Sequence, residues 1–154
     1  MEQHIMIITF CGHASFTGAQ EYEQKLLSLL QELIGDGQAE LYLGEYGGFD
    51  AFAYECCKKF KSTHPNVKLI FITPYISPGY QKNHLEYQKK RYDQIIYPPL
   101  EGVPQKFAIA YRNRWMVRQA DAVVSYIEHS WGGAYKTYKY AERNNKKIFN
   151  LYAQ

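Results

Sequence analysis

Ile5-Met6-Ile7-Ile8-Thr9-Phe10-Cys11-Gly12-His13-Ala14-Ser15 is an almost unbroken apolar run that stops at a glycine. A strand with one solvated face alternates apolar and polar residues, whereas a strand covered on both faces reads as continuously apolar. Residues 5–11 are therefore read as a buried strand of a parallel sheet. The next segment fits a crossover helix. Leu26, Leu27, Leu30, Leu33 and Ile34 fall on one stripe at helical spacing, and Gly35-Asp36-Gly37 stops it. Thr17, with Gln20 three residues later, predicts a capping box at its start.

The same alternation continues outward. Residues 39–43 predict a second strand, and Phe49, Ala53, Cys56, Cys57 and Phe60 mark a helix that ends before His64-Pro65. Further strands are predicted over 67–73, 122–127 and 147–152, with helices from about 106 to 119 and from 134 to 144. Strands alternating with helices define an α/β fold. The expected architecture is a Rossmann-like three-layer sandwich around a mainly parallel sheet of about five strands. Only residues 74–104 break the pattern. Pro74, Pro78, Pro98, Pro99 and Pro104 interrupt it, with one short helix near 85–91, and a functional loop or lid is expected there.

The 154 residues suit one domain, 1–154, and the mix of 46% hydrophobic and 21% charged residues excludes disorder. A net charge of +3 permits an anionic small-molecule ligand but lacks the excess of a dedicated nucleic-acid binder. Nucleic acid is accordingly not expected as a partner. No apolar stretch approaches the roughly 20 residues that span a bilayer, so no membrane association is expected. Met1-Glu2-Gln3-His4 runs straight into a strand, so no signal peptide is expected. The three cysteines, Cys11, Cys56 and Cys57, show no CxxC spacing and read as reduced thiols of a cytoplasmic protein. His4, His13, His64, His84 and His129 have no ligand spacing, and neither a metal nor a cofactor is expected.

In an open α/β sheet, ligands bind beyond the carboxyl ends of the strands. Three loops there carry candidate chemistry. Gly12 permits a close turn, while His13 and Ser15 offer polar groups to an anion near a helix start. Gly47-Gly48 removes side-chain bulk where amides approach a ligand, and Asp50 can cap the helix or bond a sugar hydroxyl. His129-Ser130-Trp131-Gly132-Gly133 leads into Lys136 and Thr137, a pattern suited to a phosphate on helix N-terminal amides beside a cation. It is not a P-loop, because the GxxxxGK[ST] spacing is absent. On the helix after residue 106, Asn113 falls in the buried stripe and Arg112 at its margin. A guanidinium so placed needs a partner: a ligand phosphate, or an internal carboxylate such as Asp93 or Asp121.

Gly44-x-x-x-Gly48-x-Asp50-x-x-Ala53-x-Glu55 resembles the YpsA-type GxxxGxDxxAxE motif. Arg112-Asn113-Arg114-Trp115-Met116, followed by Ala120-Asp121, is similar to the RNxxM…SD segment of the same group. Gly132-Gly133 with Lys136, Thr137, Tyr140 and Ala141 is similar to its glycine-pair signature. Together these segments resemble the SLOG superfamily, which joins DprA/SMF, Lonely Guy and YpsA-like proteins. The resemblance implies a Rossmann-like fold whose glycine turns bind nucleotides or nucleotide-derived signals, and a homo-oligomer. Some members hydrolyse the N-glycosidic bond of nucleoside monophosphates through an Arg, which Arg112 matches, and a Glu in PGGxGTxxE. That Glu is absent here: Tyr140 stands three residues after Thr137, and no proline precedes Gly132. Glu45 replaces the glycine usual in the YpsA-type turn and is the candidate catalytic carboxylate. The function expected is binding of a nucleotide-type small molecule by a sensor or sequestering protein. The alternative is a phosphoribohydrolase-like enzyme acting through Glu45 or Glu55.

Overall fold

The structure, a computed structural model, describes residues 4–152. Met1–Gln3, from which the lack of a signal peptide was read, lie outside the described residues. Six strands form one all-parallel sheet: β1 (Met6–Gly12), β2 (Ala39–Leu43), β3 (Val67–Ile72), β4 (Gln94–Ile96), β5 (Ala122–Tyr126) and β6 (Lys147–Asn150). Their order is β4-β3-β2-β1-β5-β6. The three-layer α/β expectation is borne out, with one strand more than expected.

Right-handed crossovers require that helices on opposite sides of β1 cover opposite faces of the sheet. Helix α1 (Ala19–Ile34) and α2 (Gly48–Ser62) carry the chain from β1 towards β3 and bury Leu26, Leu30, Phe49, Phe52 and Phe60 on one face. Short helices α3 (Pro78–Asn83) and α4 (Leu85–Arg91) lead to β4. Helix α5 (Ala108–Gln119) then crosses back to β5, and α6 (Gly133–Arg143) leads to β6; Met116, Val117 and Ala141 cover the second face. The strand order thus reverses beside β1, and a crevice opens at the carboxyl ends of β1 and β5.

Two local readings are corrected. There is no capping box at Thr17: α1 begins at Ala19, its N-cap is Gly18, and no side chain caps it. Gln20 is then the second helical residue and cannot reach back as a capping box requires. Residues 74–104 also hold more regular structure than the one short helix expected. Ser77 accepts from the Tyr80 amide at 3.2 Å and Pro78 sits in the first turn of α3, so one expected breaker acts as a helix-start signal. The Asp93 carboxylate accepts from the Leu69 amide at 2.8 Å and pairs with Lys61, pinning β4 to the sheet edge.

Candidate functional site

A cleft of about 350 Å³ opens at the crevice beside β1, within the size range of small-molecule sites. Its walls are the loop after β1, the loop after β2, the inner side of α5 and the N-terminus of α6. Gly12, His13, Asp50, Arg112, Asn113, Gly132, Gly133 and Thr137 all line it. Gly47, Gly48, Ser130, Lys136 and Glu45 do not.

The two glycine pairs look alike in sequence and in backbone, yet differ in what fills them. Gly47 (φ 98°, ψ −175°) and Gly132 (φ 95°, ψ 173°) hold equivalent left-handed conformations at the N-caps of α2 and α6. Around the first pair the space is protein. A Cβ on Gly47 would meet the Ala14 Cβ at 2.5 Å, one on Gly48 would meet the Phe16 carbonyl oxygen at 2.3 Å, and the Gly48 amide donates to Ala14. This amide is therefore closed to a ligand, contrary to expectation. Gly12 is likewise explained by packing, since a Cβ there would lie 2.3 Å from the Phe49 ring. Around Gly132 and Gly133 a Cβ would meet nothing within 4 Å.

The open pair leads into a helix end left unsatisfied among the described residues. There no side chain caps α6, its first turn holds no acidic residue, and the amides of Gly133, Ala134 and Tyr135 meet no acceptor. Such an end carries partial positive charge and unpaired donors, the elements of an anion site. The buried Thr137 hydroxyl donates to the Gly133 carbonyl at 3.1 Å and holds the first turn closed. Lys136, expected beside a phosphate, is exposed and does not line the cleft. Ser130 belongs to a separate shallow groove with Tyr138 and Glu142.

Arg112 is 2% exposed, deeper than the margin expected. Its Nη1 donates to the Ile72 carbonyl at 2.6 Å and its Nε to Asn113 Oδ1 at 2.9 Å. The guanidinium lies against Gly44, where a Cβ would stand 3.0 Å from the guanidinium carbon and both terminal nitrogens. Neither Asp93 nor Asp121 is its partner; they serve Lys61 and His4. The charge that acts on Arg112 most strongly is Asp50, through space and without forming an ion pair. Among the described residues Arg112 is the only lysine or arginine lining the cleft.

Asp50 is the third residue of α2 and does not cap it, because the N-cap is Gly47. Its Oδ2 accepts from the Tyr46 amide at 2.9 Å, and among the described residues no donor reaches its second oxygen. Burial raises its pKa to about 7; the Arg112 charge and the Tyr46 amide act against this, and Glu45 adds to it. A carboxyl poised there can carry or release a proton near neutrality.

His13 is 4% exposed, and its Nε2 accepts from the backbone amides of Glu128 (3.0 Å) and His129 (3.4 Å). Both donors are N–H groups, so Nε2 is unprotonated and the proton sits on Nδ1. Burial, followed by His129, lowers the pKa of this imidazole and keeps it neutral. Its ring stacks on His129 with centroids 3.6 Å apart, and His129 stacks on Trp131 at 3.8 Å. Sequence periodicity cannot reveal this stack, because it joins loops 115 residues apart.

Glu45, the candidate catalytic carboxylate, is exposed and sits beside Tyr92, whose phenol burial and Glu45 together push up. Its charge also reaches Asp50 and Arg112, but Glu45 itself does not line the cleft. Glu55 is exposed on α2. Tyr46, Ile109 and Met116 also line the cleft. Cys11 also lines it, but burial and then Asp50 push its thiol up to about 12, which leaves it inert. Among the described residues no group of three His, Cys, Asp or Glu side chains gathers as a metal site, and no helix is long and apolar enough to cross a membrane.

Sheet order and crevice together define a Rossmann-like α/β fold. No family model matches the chain. A UPF0398 protein of Halalkalibacterium halodurans is 26% identical over 113 residues, which is 67% of this chain and 55% of that protein. DNA processing protein A (DprA) from Streptococcus pneumoniae superposes with a TM-score of 0.66 at 17% identity, over 95% of this chain and 50% of its own. DprA from Helicobacter pylori superposes with a TM-score of 0.61 at 21% identity, over 94% of this chain and 64% of its own. The chain thus spans less than two thirds of each of these proteins. The H. pylori structure describes a single-stranded DNA binding mode, which overturns the expectation that nucleic acid is an unlikely partner. Net charge is a poor guide to such partners, because it sums over the whole chain, whereas strand binding needs only a local groove and stacking surfaces.

Proposed function

We propose that residues 1–154 form a single SLOG-like domain that binds a nucleotide-type ligand in the cleft beside β1, as a sensor or sequestering protein. One observation carries this reading: the open Gly132-Gly133 turn and the uncapped start of α6 line the same cleft as buried Arg112 and neutral His13. Amide dipoles, a neutral donor and one shielded cation form a receptor for a phosphate group. The ligand class includes the terminal nucleotide of a single strand, supported by the DNA-binding mode of a protein that shares the fold.

A second reading, N-glycosidic hydrolysis of the bound nucleotide, is favoured by the Asp50 carboxyl in the cleft, with its pKa of about 7. In that reading Asp50 replaces Glu45 as the proton-carrying group. Calorimetry with nucleoside mono-, di- and triphosphates and short single-stranded oligonucleotides, followed by chromatography of the mixtures, tests both readings. Gly133→Asp places a carboxylate at the open helix end, where it suits the helix dipole and meets no neighbour. The variant is expected to fold normally and to lose binding at least about tenfold, the scale of one charge-assisted bond. Unchanged affinity in Gly133→Asp would place the phosphate elsewhere, and free base released by wild type but not by Asp50→Asn would establish hydrolysis.

A further inference from the structure

Trp131 is 69% exposed, although tryptophan is highly buried on average in folded proteins. Its exposure follows from the stack beneath it. One face of the indole rests on His129 at 3.8 Å with the planes 18° apart, and His129 rests on His13 at 3.6 Å with the planes 12° apart. The other face of the indole is open at the rim of the cleft. We propose that this face is a base subsite: it takes the planar heteroaromatic ring of a nucleotide as the fourth layer of the His13–His129–Trp131 stack.

The stack stands on a fixed base. Two backbone amides hold His13 through Nε2, so the orientation of its ring is set by the loop after β5 and cannot follow a ligand. His129 and Trp131 inherit that orientation, which makes the stacking surface preorganised and spares the ligand the cost of ordering it. Chain connectivity then puts the two halves of one ligand on neighbouring residues. Trp131 immediately precedes Gly132 and Gly133, whose open turn presents the α6 amides. A flat ring on the indole and a phosphate on the amides are the two ends of a single nucleotide. Stacking on an exposed indole tolerates any base, so this subsite selects for the presence of a base more than for its identity.

The proposal rests on the phosphate site described above, and its test separates the two. Calorimetry on the full chain compares adenosine and uridine 5′-monophosphates with ribose 5-phosphate, the same phosphate without a base. Wild type is expected to bind both nucleotides at least about tenfold more tightly than ribose 5-phosphate. Trp131→Ala brings the nucleotides down to the level of ribose 5-phosphate and leaves ribose 5-phosphate unchanged, while Trp131→Phe retains most of the preference. The exposed position lets the alanine variant fold. Equal affinity of wild type for nucleotides and ribose 5-phosphate, or nucleotide affinity untouched in Trp131→Ala, overturns the base subsite and spares the phosphate site. Failure of wild type to bind any of the three overturns both.

Discussion

The Gly48 amide donates to the Ala14 carbonyl at 2.8 Å, and this bond ties the loop after β2 to the loop after β1. It is the reason that two glycine turns of the same backbone shape have different chemistry. One is filled by its neighbouring loop, and the other is left open to the cleft.

Alanine scanning separates the two turns. Gly48→Ala forces a Cβ against the Phe16 carbonyl oxygen at 2.3 Å, and neighbouring backbone must shift. A loss of about 1–3 kcal/mol is expected, the usual range for overpacking. Gly133→Ala meets open space inside a helix, and its stability is expected to hold or rise by up to about 1 kcal/mol. Urea denaturation of both variants checks this; similar losses in the two would contradict it.

Asp50 makes stability depend on pH in an unusual direction for a carboxylate. Its folded pKa of about 7 lies above the ordinary 3.8, so the folded chain holds this proton more tightly than the unfolded chain does. Its contribution is fully present below about pH 4 and is lost as pH rises through 7. Asp50→Asn is expected to remove that slope and to be the more stable protein above pH 7. Denaturation midpoints across this range give the result, and parallel curves for wild type and variant would refute it.

Arg112 acts against that shift, because its charge favours the ionised carboxyl. In Arg112→Met the Asp50 titration is expected to move further up, as followed by carboxyl carbon NMR. The Ile72 carbonyl also loses its donor, at a cost of about 1–3 kcal/mol. An Asp50 titration that stays in place would mean the guanidinium is screened from it.

His13 carries the opposite sign. Its pKa is lowered on folding, chiefly by burial, so its contribution is present above the ordinary 6.5 and is lost as pH falls through the folded value. Protonation would also displace the two amide donors from Nε2. Nitrogen NMR of the imidazole is expected to show the neutral Nδ1–H form at pH 6.5, where an unfolded histidine is half protonated. An imidazolium signal at that pH would contradict the assignment.

The apolar runs, the helical stripes and the glycine stops are local, and they sufficed for the α/β class and for five strand positions within a few residues. The sixth strand was not legible. β4 is only three residues long and stands among prolines that read as breakers, and only its pairing with β3 and the Asp93 anchor make it a strand. Candidate residues from three distant loops were also named in the sequence, because glycine pairs before helices mark the carboxyl ends of strands. Which pair is open, why Arg112 bonds a strand-end carbonyl, why Asp50 titrates near 7 and how His13 supports Trp131 were decided by tertiary structure. Periodicity and turn chemistry act over a few residues, whereas burial and loop-to-loop contact arise only when parallel strands bring their ends side by side.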